Sequence, residues 1–130
     1  MEKRGQFVGY SDEFVKLQVG HLEVTWFYFP TASSKNIPYE KIKGIYYEQQ
    51  NLKRQLCKVK GWGMSCTPCW WACDVMRNWH PKDAAPFYNV VVDCGETTYK
   101  GFSCQNIGGF LTSIQPRLPS GCAVRGELPF

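Results

Sequence analysis

The chain lacks the features that mark a membrane-spanning or secreted protein. No run approaches the ~18 apolar residues that a spanning helix requires. The basic start is followed by no apolar segment of the kind found in signal peptides, and residue 2 is Glu2, not the glycine that myristoylation requires. The odd number of cysteines, seven, favours free thiols in a reducing compartment. We therefore expect a cytoplasmic protein.

The short motifs of common enzyme classes are also missing. No GxSxG, GxGxxG, P-loop or HExxH occurs, no pair of carboxylates stands out, and His21 and His80 are the only histidines. The net charge of +4 is mild, and no RNA-binding motif accompanies it. These absences favour a non-catalytic protein and do not favour a nucleic-acid partner.

What the chain has in abundance is aromatic residues, at 15%, spread over segments that alternate between apolar and polar side chains. This period of two predicts strands, with a hairpin turn at Gly20-His21 and Pro30 closing the second strand. One helix is predicted over 103–115, with Ser103 as its N-cap and Pro116 as its stop. The predicted strands cover 14–20, 21–30, two pieces of 36–50, 56–65, and a hairpin over 87–103.

Three stretches carry a resemblance to a known superfold. NIPYEKIKGIYYE, the GWG in mid-chain and the ending VVVDCGETTYKGFSCQNIGGFLTSIQPRL resemble, in order and pattern, the pleckstrin-homology-like (PH-like) superfold, most closely its compact bacterial-type domains. The resemblance covers residues 13–118 and implies a mainly β fold. This would be an antiparallel barrel or sandwich of six to seven strands with one C-terminal capping helix. Residues 1–12 would be an N-terminal segment, 64–86 a Cys/Trp-rich insertion and 119–130 an irregular tail.

The PH-like resemblance implies a non-catalytic binding module, and a basic stretch suggests its ligand. Residues 35–60 contain seven lysine or arginine residues against two glutamates. Such an excess suits an acidic lipid headgroup at a membrane surface, with peripheral membrane contact, or an acidic protein partner. Lys53, Arg54, Lys58 and Lys60 are expected to share one anion site, since the last two fall on one face of a predicted strand. The predicted anion-binding residues are Lys41, Lys43, Lys53, Arg54, Lys58 and Lys60.

The segment GWGMSCTPCWWACDVMRNWH, residues 61–80, leaves several interpretations open. The spacing C-x2-C-x3-C-x6-H could hold zinc in a metal-stabilised structural or assembly protein, with Cys66, Cys69, Cys73 and His80 as ligands. The first two cysteines could instead be a redox dithiol. The tryptophans either fill the core or contact a membrane, where indole rings favour the interface. The predicted contact residues are Trp62, Trp70 and Trp71.

Overall fold

The computed structural model describes residues 7–28, 30–51, 55, 58–80 and 86–130, with only the backbone of residues 7 and 8. Within these residues the chain forms ten β-strands in two sheets, one α-helix and two short 3₁₀ helices. The predicted fold class, mainly β with one C-terminal helix, is confirmed. The strands number more than the six to seven that the resemblance implied.

The first sheet is an antiparallel meander of four strands in chain order. These are β1 (Phe7–Ser11), β2 (Val15–Gln18), β3 (His21–Val24) and β4 (Lys35–Pro38). Alternation builds β2, where Val15 and Leu17 are buried and Lys16 between them is exposed. The predicted hairpin turn is confirmed, because β3 begins at His21 and pairs with β2. Strand β1 lies in the predicted N-terminal segment, residues 1–12, and therefore makes this segment part of the sheet.

The second predicted strand ends earlier than the alternation over 21–30 indicated. Trp26 has a φ of +53°, in the left-handed region, which strand residues do not adopt. After it, the backbone N–H groups of Phe27 and Tyr28 both donate to the Ser33 carbonyl at 3.1 Å, as in a closed loop. The chain therefore turns at Trp26 and leaves its side chain 57% exposed.

The second sheet contains six strands, and two of its pairings are parallel, which corrects the prediction of a purely antiparallel fold. Its strands are β5 (Gly44–Gln49), β6 (Gly63–Met64), β7 (Cys69–Trp71), β8 (Tyr88–Asp93), β9 (Tyr99–Cys104) and β10 (Ala123–Arg125). They lie in the order β10-β5-β8-β9-β7-β6, and the parallel pairs are β10 with β5 and β7 with β9.

Two short strands of this sheet lie where the sequence predicted irregular chain. Strand β10 lies within the predicted irregular tail, 119–130, and β7 lies within the predicted Cys/Trp-rich insertion, 64–86. Conversely, the strand predicted over 56–65 is reduced, in its described part, to Gly63–Met64. A strand of three residues is stabilised by partners far away in the sequence, so its local pattern carries little information.

The inner faces of both sheets meet in one hydrophobic cluster, which the helix also joins. The helix α1, Ile107–Ile114, contributes Phe110 and Ile114, both fully buried. Its N-cap is Asn106, whose Oδ1 accepts from the backbone N–H of Gly109 at 3.0 Å. The predicted N-cap, Ser103, was wrong, because this residue belongs to β9 and its hydroxyl lies in a buried polar network.

A second, smaller cluster covers the opposite face of the six-stranded sheet. It joins Cys69 and Trp71 of β7 to Val91 of β8, and the C-terminal residue Leu128 packs onto them. Tyr46, Val59, Tyr99 and Phe130 surround this cluster. The tail and the segment before β6 therefore close the outer face of the sheet.

Candidate functional site

Basic side chains surround the turn between β8 and β9, where Glu96 is the acceptor at their centre. Lys35 Nζ lies 3.3 Å and Lys100 Nζ 2.9 Å from Glu96 Oε1. Lys100 is buried although it is charged, and its Nζ also donates to the carbonyl and hydroxyl of Thr98 at 2.9 and 2.8 Å. The Glu96 side chain remains 52% exposed. One carboxylate oxygen thus bridges two ammonium groups at the surface.

Three neighbouring cavities share Glu96 in their walls and together define a basic cluster. The first, about 240 Å³, is lined by Lys35 and Lys100 and by aromatic rings of Phe27, Tyr28 and Trp70. A small cavity beside it brings in Lys41, and a third brings in Lys43 with Asp93. We use the name basic cluster for Lys35, Lys41, Lys43 and Lys100.

The turn between β8 and β9 contains a glycine, Gly95, that leaves room for the Lys43 side chain. Gly95 has a φ of +83°, and its backbone N–H donates to Asp93 Oδ1 at 3.0 Å. A Cβ at this position would meet Lys43 Cε at 2.9 Å, so the lysine side chain crosses directly over the glycine. A residue other than glycine would be strained here and would push Lys43 away from the cluster.

Glu96 and two lysines of the basic cluster stabilise each other's charged forms. The hydrogen bond from Lys100, and then that from Lys35, hold the pKa of Glu96 below its ordinary value against the effect of burial. Burial acts to lower the pKa of Lys35, but Glu96 and Tyr28 together outweigh it, so the pKa of Lys35 is raised. At neutral pH Glu96 is therefore an anion held by two ammonium groups.

The six predicted anion-binding residues are not gathered in one place. Lys41 and Lys43 belong to the basic cluster, whereas Lys53 and Arg54 lie outside the described residues. Lys60 lies towards the other end of β8. The Lys60 carbonyl accepts from Arg77, and Arg77 also donates to Asn89 at 2.8 Å. Asn89 lies near the start of β8, four residues before Asp93, which lines a cavity with Lys43 at the end of the strand. Four residues of strand span about 13 Å.

Lys58 and Lys60 do not share a strand face, since the described part of 56–65 has strand only at Gly63–Met64. Two residues of the basic cluster, Lys35 and Lys100, were missed as site residues. The sequence contained a signal for Lys100. This lysine alternates onto the same face of the predicted hairpin as Phe102, and both residues are buried in the structure. A lysine at a core-facing position needs a charged or polar partner.

Another cavity, about 410 Å³, is lined in part by Thr25 and Trp26. Its floor holds His80 and Asp74, with both carboxylate oxygens 2.9 Å from His80 Nε2. The His80 ring stacks on Phe87 at 4.0 Å between centroids. We call this cavity the aromatic cleft; it is lined by Glu13, Phe14, Thr25, Trp26, Cys73, Asp74, Val75, Met76, His80 and Phe87.

Behind the cleft, the Arg77 guanidinium anchors a buried polar network. Its Nε donates to the Lys60 carbonyl at 2.9 Å, and its Nη2 donates to the Ala72 carbonyl at 2.8 Å. Its Nη1 donates to Ser103 Oγ at 2.8 Å, and Ser103 donates to Asp74. Burial lowers the pKa of Arg77 to about 10, so the group stays charged at neutral pH. This network fixes Asp74, and through it His80.

The cysteines and histidine proposed as zinc ligands are spread over different environments. Cys66 is exposed, Cys69 is buried in β7, and Cys73 lines the aromatic cleft beside the paired His80. In the described part of the chain no group of three or more His, Cys, Asp or Glu side chains is placed to hold a metal ion. For the redox interpretation, burial raises the pKa of the Cys69 thiol well above its ordinary value.

The predicted membrane-contact residues Trp62, Trp70 and Trp71 are not the tryptophans that the structure exposes. Trp71 is fully buried, and the indole N–H groups of Trp62 and Trp70 both donate to the Phe27 carbonyl, at 3.0 and 2.8 Å. The exposed rings are Trp26 and Trp79, 57% and 63% exposed. Local alternation placed Trp26 on a strand and carried no sign of its exposure.

Comparison of the chain with family models, curated proteins and solved structures returned no match. Among the described residues, no helix combines the length and the apolar character needed to cross a membrane.

Proposed function

We propose that the protein is a non-catalytic binding module that recognises an acidic group through the basic cluster. The acidic group would belong to a lipid headgroup at a membrane surface or to the surface of a protein partner. The PH-like architecture that the sequence resembles, a barrel or sandwich with a capping helix, is part of this proposal. Binding residues lie disproportionately on the loops that connect regular elements, and the β8–β9 turn is such a loop.

The observation that carries the proposal is the position of Glu96. Its carboxylate occupies the place between two ammonium groups that an external anion would take, yet half of its side chain is in solvent. Lysine binds phosphate and carboxylate as a point charge, so a phosphate could replace Glu96 without a change of fold. The exposed Lys41 and Lys43 would then contribute long-range attraction.

Aromatic side chains beside the ammonium groups fit a ligand that is not purely ionic. Tyr28 is 41% exposed, and its ring packs edge-on against Phe27 at 5.1 Å between centroids. Rings in this position can rest on the apolar part of a headgroup or of a partner side chain. The cavity at Lys35 and Lys100 therefore combines an apolar wall with a cationic floor.

Two charge reversals of equal size compare the basic cluster with Lys58 and Lys60, two predicted anion-binding residues that do not belong to it. We would measure cosedimentation of the variants Lys41→Glu/Lys43→Glu and Lys58→Glu/Lys60→Glu with vesicles containing phosphatidylserine and phosphoinositide. Each lysine near an anionic membrane contributes about 1 kcal/mol, so the first pair should weaken binding by more than about tenfold. The second pair is the matched control and should have a clearly smaller effect.

A parallel titration with an acidic peptide distinguishes the two kinds of ligand. Binding to vesicles but not to the peptide supports the lipid version, and the reverse result supports a protein partner. Equal losses in both double variants would contradict the assignment to the basic cluster. The absence of wild-type binding in both titrations would contradict the proposed function as a whole.

A further inference from the structure

The aromatic cleft is a second concave site, separate from the basic cluster and lined by different residues. Its volume of about 410 Å³ lies within the range of small-molecule sites. Aromatic rings of Phe14, Trp26 and Phe87 form its walls. Large rings around a concave surface with a few fixed polar groups are the usual composition of a ligand pocket.

The rim of the cleft exposes apolar side chains that contribute little to the core. Val75 is 74% and Met76 52% exposed, next to the exposed Trp26. Trp26 is also held in the left-handed region at a φ of +53°, and its carbonyl accepts from the backbone N–H of Cys73 at 2.8 Å. Strained residues that face solvent cluster at binding sites, because packing alone gives no reason to retain them.

The buried Arg77 balances the charge of Asp74, so the negative charge that the cleft presents to solvent is that of the exposed Glu13, opposite in sign to the net charge of the protein. The described residues that line the cleft include Glu13, Asp74 and His80, and none of them is lysine or arginine. The chain as a whole carries +4. A carboxylate at a partly enclosed cavity attracts cations and repels anions. The ligand of this cleft therefore differs in sign from the ligand of the basic cluster.

The polar groups in the cleft are fixed in orientation. Asp74 accepts from His80 Nε2, from Ser103 Oγ and, at 3.2 Å, from the backbone N–H of Met76. The His80 ring is thereby held in place at Nε2, while Glu13, an exposed residue of the lining, supplies a negative charge.

From these features we propose that the aromatic cleft binds a small organic cation, in which a positively charged nitrogen lies against Trp26 and near Glu13. Aromatic faces attract ammonium groups through their quadrupole, and quaternary ammonium ions are recognised in this way. The apolar rim contacts the alkyl groups of the cation. The site is independent of the anion-binding function proposed above.

The test uses choline and its neutral isostere, 3,3-dimethylbutan-1-ol, which has the same shape without the charge. Each is titrated into the full chain while NMR follows the Met76 methyl and Trp26 indole signals. Choline should shift both signals in a saturable manner and bind at least tenfold more tightly than the alcohol. Glu13→Gln should weaken choline binding severalfold, whereas the control Glu23→Gln on β3, outside the cleft, should not.

Three results would overturn the proposal. Equal affinity for the alcohol would mean that the cleft binds apolar groups without selecting charge. Shifts that are absent, or that map away from Met76 and Trp26, would mean that the cleft is not the site. An unchanged affinity in both Glu13→Gln and Trp26→Ala, with native spectra for both variants, would remove the two residues on which the proposal depends.

Discussion

The contact between Gly101 of β9 and Trp71 of β7 gives a prediction that can be worked out from distances. The two residues are register partners in a parallel pairing. A Cβ on Gly101 would lie against Trp71 Cε3 and 2.7 Å from both Cδ2 and Cζ3, closer than real Cβ atoms approach. The substitution Gly101→Ala therefore requires the indole ring or a strand to move.

The ring has little freedom to move. Trp71 is fully buried, its Nε1 donates to the Lys58 carbonyl at 3.2 Å, and the Arg77 guanidinium carbon lies 4.7 Å from the ring centroid. Overpacking of a dense core costs about 1–3 kcal/mol, and we expect Gly101→Ala to lower the free energy of unfolding by this amount. Urea denaturation with linear extrapolation measures it.

Two further variants make the result decisive. Gly108→Ala in α1 is the control, since its Cβ would meet only Asn106 Oδ1 at 3.7 Å; alanine in a helix gains up to about 1 kcal/mol over glycine. In a Trp71→Leu background, which lacks the ring atoms in question, Gly101→Ala should cost much less. An unchanged or higher stability of Gly101→Ala, or the same cost in both backgrounds, would refute the argument.

Two other predictions concern charge. Arg77→Met should lower the free energy of unfolding by about 3–5 kcal/mol, because it removes a fully buried hydrogen-bonded cation and leaves its acceptors unpaired. The half-buried Arg117, which donates to the Ser113 carbonyl, is the control, and a similar loss in Arg117→Met would contradict the assignment. Because the pKa of Glu96 is lowered in the folded state, its contribution is present above its ordinary pKa of 4.5 and is lost as the pH falls through the folded value. The stability difference between wild type and Glu96→Gln, at most about 1 kcal/mol for so exposed a pair, should therefore shrink in acid, and a constant difference from pH 7 to pH 3 would contradict this.

The sequence predicted those elements whose own residues carry the pattern. Alternation located β2, β5, β8 and β9, and helical spacing located α1, because each of these buries one face against the core. The short strands β7 and β10 escaped, since both depend on parallel pairing with residues distant in the chain. The start of α1 was also misplaced, because its N-cap is Asn106 and not Ser103.

The candidate site was predicted only in part, for the same reason. The basic stretch included Lys41 and Lys43 among the predicted residues, but a run of lysines in a sequence gives no distances between their side chains. Lys35 and Lys100 come from different sheets and meet through Glu96, a contact that spans 61 residues on the Lys35 side. The aromatic cleft likewise joins the two residues before β2, the loop at Trp26, residues 73–80 and Phe87, and no single stretch reveals it.

The most direct test of the central claim is a titration of wild type and Glu96→Gln with inositol trisphosphate, a soluble acidic headgroup, followed by backbone amide signals. If the basic cluster binds anions, the shifts will concentrate at Lys35, Lys43 and residues 95–100. Glu96→Gln will bind severalfold more tightly, because the competing internal carboxylate is gone. Shifts centred on Lys58 and Lys60, or an affinity that Glu96→Gln leaves unchanged or weakens, would contradict the account.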